Sequence, residues 1–182
     1  MEPISVVFVG SADQVIGTFT RAGWTRADLP TPVRIVKETL AALTNQPDAS
    51  GPATPAYVGD RPQTLTFEKP DQQSPGIRRR HHARLWQTQY CAMPGCEPIW
   101  IATASFDIGI ELSPRLHVPT HRIDPNIDAE RALIARDLSA AGASEIGTVR
   151  VLPPLTGTNA AGDPFTTDGR AAILIMPVNY SR

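Results

Sequence analysis

The chain has 182 residues, of which 41% are hydrophobic, and its formal net charge is -1. This length and composition suffice for one domain with a real core, and the near balance of acids and bases argues against a long nucleic-acid-binding surface. No apolar run approaches the length of a membrane span, and the first residues lack the pattern of a secretory leader. We therefore expect residues 1–182 to form one soluble domain, either cytoplasmic or attached to a membrane through a partner or a missing segment.

The first part of the chain predicts a strand followed by two helices. "ISVVFVG" is a strand-like apolar run, and Ser11 after it has Gln14 three residues on, a capping-box pattern for a helix start. "TPVRIVKETLAAL" then has Thr31 as a cap, Pro32 at the first helical position and apolar residues at helical spacing.

Three strands are predicted after a loop at 46–56 that is rich in Pro, Gly, Ser and Ala. "TLTFEKP" is a brief strand, and "RRHHARLWQTQY" and "EPIWIATASFDIGIEL" are longer ones that form a hairpin turned at 92–95. Cys91 and Cys96 flank this turn. They either form a disulfide, which would imply an oxidising compartment, or remain free thiols.

The last part predicts a third helix and two more strands. The helix in "NIDAERALIARDLSAAG" has Asp124 as its expected cap, Pro125 at its first position and Gly142 at its end. "TVRVLPP" and "AAILIMPV" then form strands joined by a long loop. The predicted order is β-α-α-β-β-β-α-β-β, so we expect an α+β fold with about three helices on a mostly antiparallel sheet.

The hairpin spacing predicts which polar side chains share one face of the sheet. If Cys91 faces Cys96, Arg80 lies opposite Asp107, and side chains alternate between the two faces. One face then carries Arg80, His82, Arg84, Trp86, Thr103, Ser105 and Asp107. Such a row is costly to bury unless it meets an anion, an acidic partner or water.

The third helix offers a partner for this row. Asp124, Asp128 and Arg131 follow one another at i, i+4 and i+7, and His121 comes just before them. If this helix packs over the hairpin, these side chains converge with the hairpin row. The alternatives are structural: a helix cap at Asp124 and an intrahelical pair between Asp128 and Arg131.

At these residues the chain resembles the family named for the LssY C-terminal domain. The family pattern Arg-x-His-x-Arg-x-Trp falls on residues 80–86, and a second pattern, Thr-His-x-Ile-Asp-x-x-Ile-Asp-x-Glu-Arg, falls on residues 120–131. The other matching segments are "VVFVGSADQVIGTFTRAGW", "YVGDRPQTLTFEKP", "IWIATASFDIGIEL" and "TNAAGDPFTTDG". The resemblance implies no established activity, but it implies frequent attachment to multi-spanning membrane segments, sometimes next to lipid-phosphate-phosphatase-like or DedA-like regions.

Two functions are compatible with these residues. The first is an enzyme that binds and hydrolyses a phosphorylated or other anionic substrate, such as a lipid phosphate. Its expected catalytic residues are His82, His121 and Asp107, and its expected substrate-binding residues are Arg80, Arg84, Arg61 and Arg131. No cofactor is expected, and the minority alternative is a divalent metal held by His82, His121, Asp124 and Asp128. The second function is a non-catalytic docking domain for a membrane-embedded, lipid-handling partner, with the polar network as a structural lock.

Overall fold

The computed structural model describes residues 2–27, 56–72, 79–112 and 119–178. In chain order the elements are β1 (Val6–Val9), α1 (Ala12–Arg21), β2 (Thr25–Arg26), β3 (Tyr57–Val58), β4 (Arg61–Pro62), β5 (Leu65–Pro70), β6 (Arg80–Ala92), β7 (Glu97–Leu112), β8 (Pro119–Ile123), α2 (Ile127–Ala140), β9 (Ser144–Arg150), β10 (Leu155–Thr158), β11 (Pro164–Thr167) and β12 (Arg170–Ile175).

Eight of the described strands form one sheet. Seven of them follow the order β2-β5-β6-β7-β1-β12-β9, and β8 pairs with a later part of β7 than β1 does. The pair β1–β12 is parallel, whereas the other described pairs in this sheet are antiparallel. Two small sheets, β3–β4 and β10–β11, lie outside it. The prediction of an α+β fold with a mostly antiparallel sheet is therefore confirmed.

Both described helices pack on one side of the sheet, which we call the helix face. Phe19 of α1 stacks on Phe67 of β5 at a ring distance of 4.2 Å and meets Trp24 edge-on. Ile134 and Leu138 of α2 belong to the same fully buried cluster. Burying each such side chain contributes about 2 kcal/mol, so this face holds the hydrophobic core.

The capping residue of α1 is the one that the sequence predicted, but the capping residue of α2 is not. Ser11 caps α1 in the predicted capping box with Gln14. In α2 the cap is Asn126, whose side chain accepts a hydrogen bond from Ala129 N, and Asp124 instead accepts one from Asn126 N. The prediction of Asp124 as cap is wrong because Asn126 stands at the correct distance from the first free amides of the helix.

The predicted number and order of elements differ in part from the structure. The described residues contain two helices, and the helix predicted in "TPVRIVKETLAAL" lies outside them. The predicted order omitted several short strands, among them the two-residue strands β3 and β4 and the five-residue strand β8. Two residues are too few to show an alternation of apolar and polar residues, and "PTHRI" in β8 does not alternate. None of the described helices is long and apolar enough to cross a membrane.

The residue pairing of the β6–β7 hairpin near Arg80 is as predicted, but the position of its turn is not. Arg80 pairs with Asp107, and the same register continues to Gln87, which pairs with Trp100. Beyond a bulge, Cys91 pairs with Pro98, so the turn lies at 93–96 instead of 92–95. Cys91 and Cys96 form a disulfide across this turn.

Candidate functional site

A cluster of ionisable side chains lies on the sheet face opposite the helix face. We call it the Asp107 cluster, and its members are Glu68, Arg80, His82, Asp107 and His121. Three neighbouring strands supply the first four, because Glu68 pairs with His82 across β5–β6 and Arg80 pairs with Asp107 across β6–β7. Strand β8 adds His121.

The five side chains form a continuous chain of close contacts. Arg80 donates a hydrogen bond to Glu68 Oε2 at 3.0 Å, and Glu68 Oε1 lies 3.3 Å from His82 Nδ1. His82 Nε2 lies 2.6 Å from Asp107 Oδ2, and the same oxygen lies 3.0 Å from His121 Nδ1. Positive and negative groups therefore alternate from Arg80 to Asp107, and the chain ends at His121.

Burial and charge set the protonation states inside this cluster. Burial alone would lower the pKa of His82, but the charges of Asp107 and Glu68 outweigh it and raise that pKa to about 9. Burial alone would raise the pKa of Asp107, but His82 and His121 hold it well below its usual value. At neutral pH the centre of the cluster is therefore a buried ion pair of protonated His82 and ionised Asp107.

His121 is the member that solvent reaches. Its side chain is 27% exposed, whereas those of His82 and Asp107 are 3% and 5% exposed. The contact from His121 Nδ1 to Asp107 has the distance of an ion pair but is not aligned as a hydrogen bond. Catalytic hydrogen bonds are often long or misaligned in ligand-free structures and tighten when substrate binds.

Helix α2, the third helix of the sequence prediction, does not bring its acidic residues to the Asp107 cluster. Asp128 and Arg131 join Asp168 and Thr167 in what we call the Asp168 cluster. Arg131 donates to both oxygens of Asp168 at 2.6 and 3.0 Å, and Asp128 accepts from Thr167 Oγ1 and from the amide of Asp168. These contacts tie the start of α2 to the turn between β11 and β12, so Arg131 is engaged in holding the fold together.

Helix α2 packs on the other face of β6, where it meets His81, the neighbour of His82 in the chain. His81 Nδ1 lies 2.9 Å from Glu130 Oε2, and its ring stacks on Phe106. Asp124 lies before the helix and bonds the amide of Asn126. The convergence predicted for His82, Asp107 and His121 is present, but Asp124, Asp128 and Arg131 are not part of it.

The remaining arginines differ in their access to ligands. Arg80 is 5% exposed and bonded to Glu68. Arg84 is half-buried on the face that carries His82, and Arg61 is exposed on β4. Arg84 and Arg61 are therefore the predicted substrate-binding residues that solvent reaches.

A metal site finds no support in the described part of the chain. It contains no group of three or more His, Cys, Asp or Glu side chains arranged to hold a metal ion. Of the four residues in the metal alternative, His82 and His121 share Asp107, whereas Asp128 bonds to Arg131 and Thr167.

Glu68 is the cluster member that the sequence did not reveal. Its acidic side chain directly after the apolar and neutral run "LTF" was the available signal, because a central strand seldom buries an unpaired charge. Only the pairing of β5 with β6 identifies its partners, and residues 71–79 separate those strands in the chain.

Comparison with known proteins places the chain in one family. The model of the family described as LssY C-terminus matches residues 1–171, so the chain belongs to that family. No curated protein and no solved structure gives a significant match.

Proposed function

We propose that this domain is a hydrolase for a small phosphate-bearing or otherwise anionic substrate, with His121 as its general acid and base. The observation that carries the proposal is the position of His121 as the solvent-accessible end of an otherwise buried chain of charges. A histidine held by a buried carboxylate through Nδ1 directs Nε2 outward, where it can exchange a proton with a bound molecule.

The other members of the Asp107 cluster act through His121. Ionised Asp107 orients the imidazole and stabilises its protonated form, as carboxylates do in histidine-dependent hydrolases. His82, Glu68 and Arg80 hold Asp107 in place and ionised. They are positioning residues, because they are too deeply buried to touch a substrate.

The reaction that fits these groups is hydrolysis by an activated water. His121 Nε2 takes a proton from the water as its oxygen bonds to phosphorus, and the bond from phosphorus to the leaving oxygen breaks. The same nitrogen then returns the proton to the leaving oxygen. Arg84 on the neighbouring part of β6 supplies positive charge for the anion. The membrane attachment that the family resemblance implies makes a lipid phosphate one member of this substrate class.

Substitution of His121 tests the proposal. Wild-type protein should hydrolyse p-nitrophenyl phosphate, and His121→Gln should lower kcat by about 100-fold or more while the melting temperature changes little. Arg122→Gln is the matched control, because Arg122 is the next residue of β8 and its side chain is 52% exposed. Equal turnover by His121→Gln and wild type would rule out the assigned role.

A second candidate function is a non-catalytic docking domain for a membrane-embedded, lipid-handling protein. The observation that favours it is the burial of Glu68, Arg80, His82 and Asp107, which suits a structural lock. In that case His121→Gln changes no turnover, and the domain co-purifies with a membrane protein from detergent extracts of its native cells.

A further inference from the structure

A pocket of about 260 Å³ lies between the β3–β4 hairpin and the outer half of the β6–β7 hairpin. Its apolar lining comes from Val58, Pro62, Ile101 and the small exposed part of Trp86, which is 4% exposed, and Arg61 is the cation among its lining residues. The described residues that line it include no acidic side chain. This combination suits a ligand with one apolar group and one negative charge.

The bulge in β6 builds one wall of the pocket. Residues 88–90 of β6 stand across from Ile99 alone, because the pairing shifts between Gln87 and Cys91. Extra residues bend a strand out of its sheet, and here Thr88 Oγ1 holds the bent segment by donating to Ile99 O at 2.8 Å. The disulfide closes the hairpin directly beyond the bulge, so this wall is formed before any ligand arrives.

Hydrogen bonds between β6 and residues 61–64 fix the opposite wall of the pocket. Trp86 Nε1 donates to the carbonyl of Arg61 at 3.0 Å, and Thr64 N donates to Leu85 O at 2.7 Å. Gln87 N donates to Thr64 Oγ1 at 3.2 Å. The backbone of Arg61 is therefore anchored at the rim, and its exposed guanidinium extends from a fixed point.

We propose that this pocket binds a small aromatic anion, such as an aryl phosphate or aryl carboxylate, with the ring against Trp86 and Ile101 and the anionic group on Arg61. Its volume is just below the roughly 300 Å³ at which pockets for drug-sized molecules begin, so one ring with one charged substituent fits. Arginine suits this role because its planar group pairs with two oxygens of a carboxylate or phosphate at once.

The pocket is separate from the Asp107 cluster. Trp86 is four residues along β6 from His82, which corresponds to about 13 Å in an extended strand. His121, His82 and Asp107 are not among the residues that line the pocket, so binding there does not depend on the proposed hydrolysis.

The indole N–H signals of the three tryptophans test this assignment in ¹⁵N-labelled wild-type protein. Trp24 and Trp100 are buried in the core on the helix face and serve as internal controls, and Trp86→Phe identifies the third signal. Phenyl phosphate should shift the Trp86 signal saturably, whereas the same concentration of inorganic phosphate should leave it in place. Benzoate should act as phenyl phosphate does.

Arg61→Gln should weaken phenyl phosphate binding about fivefold or more, and the control Arg136→Gln, at a side chain that is 71% exposed on α2, should not change it. The proposal is overturned if the Trp86 signal does not respond, if inorganic phosphate shifts it equally, or if Arg61→Gln binds as wild type does. Because His121→Gln leaves the pocket intact, that variant should still bind phenyl phosphate, whatever its turnover.

Discussion

The Asp107 cluster and the Asp168 cluster both pair aspartates with cationic side chains, but in different surroundings. In the Asp107 cluster, the side chains of His82 and Asp107 are 3% and 5% exposed. In the Asp168 cluster, those of Asp128 and Asp168 are 23% and 44% exposed. Water can replace a lost partner in the second cluster but not in the first.

The sequence predicted that residues of both clusters converge in one site, but their different surroundings give the two clusters different roles. The contacts of the Asp168 cluster join α2 to the turn before β12. The Asp107 cluster continues from a buried pair to a histidine that solvent reaches. The Asp168 cluster is therefore tested by stability alone. The Asp107 cluster is tested by stability and by the activity of His121.

The largest contrast is expected from removing one charge in each cluster. Asp107→Asn keeps the shape of the side chain but removes the nearer of the two carboxylates that contact buried His82, so the free energy of unfolding should fall by about 3 to 5 kcal/mol. Thermal denaturation should show a melting temperature lower by about 10 °C. A change as small as that of Asp168→Asn would mean that the buried pair is not ionised.

A smaller effect, limited to the Asp107 cluster, is expected from raising the pH. The pKa of His82 is raised from 6.5 to about 9 in the folded protein, so its contribution to stability is complete below about pH 6.5 and is lost as the pH rises through 9. The total loss is about 3 kcal/mol, by the usual conversion of a pKa shift. Urea denaturation between pH 6 and 10 measures it, and His82→Gln should remove most of this dependence. A pH profile for wild type as flat as that of the variant would contradict the ion pair.

The smallest effect is expected at the Asp168 cluster. Asp168→Asn should lower the free energy of unfolding by at most about 1 kcal/mol, because the carboxylate is half-exposed and Arg131 retains Asp128 and the carbonyl of Arg170. Addition of 0.5 M sodium chloride should reduce the difference between Asp168→Asn and wild type further. Urea denaturation at two salt concentrations gives both values, and a loss as large as that of Asp107→Asn would remove the distinction between the clusters.

The sequence predicted the polar face of β6 and β7 because two simple regularities determine it. Side chains alternate along a strand, and the cysteine spacing suggested the approximate register that pairs Arg80 with Asp107. The bulge near Gln87 escaped prediction, since extra residues in a strand leave no periodic trace. The predicted register near Arg80 was nevertheless correct, because the extra residues of the bulge offset the shift of the turn.

The position of α2 was not predictable from its own pattern. Asp128 and Arg131 lie on a polar side of the helix that either a sheet face or a loop could meet, and the structure places the turn at Asp168 there. The two adjacent histidines are explained by the same packing. His81 meets Glu130 of α2 on the helix face, and His82 meets Asp107 on the other.

The parallel pairing of β1 with β12 has a consequence for how the chain is made. Val6 pairs with Ala172, so the centre of the sheet joins residues separated by most of the chain. A ribosome releases the amino-terminal strand early, and that strand must wait for its neighbour until β12 has emerged. Until then its apolar side chains are exposed to solvent or to chaperones, and such long-range pairing makes folding slow.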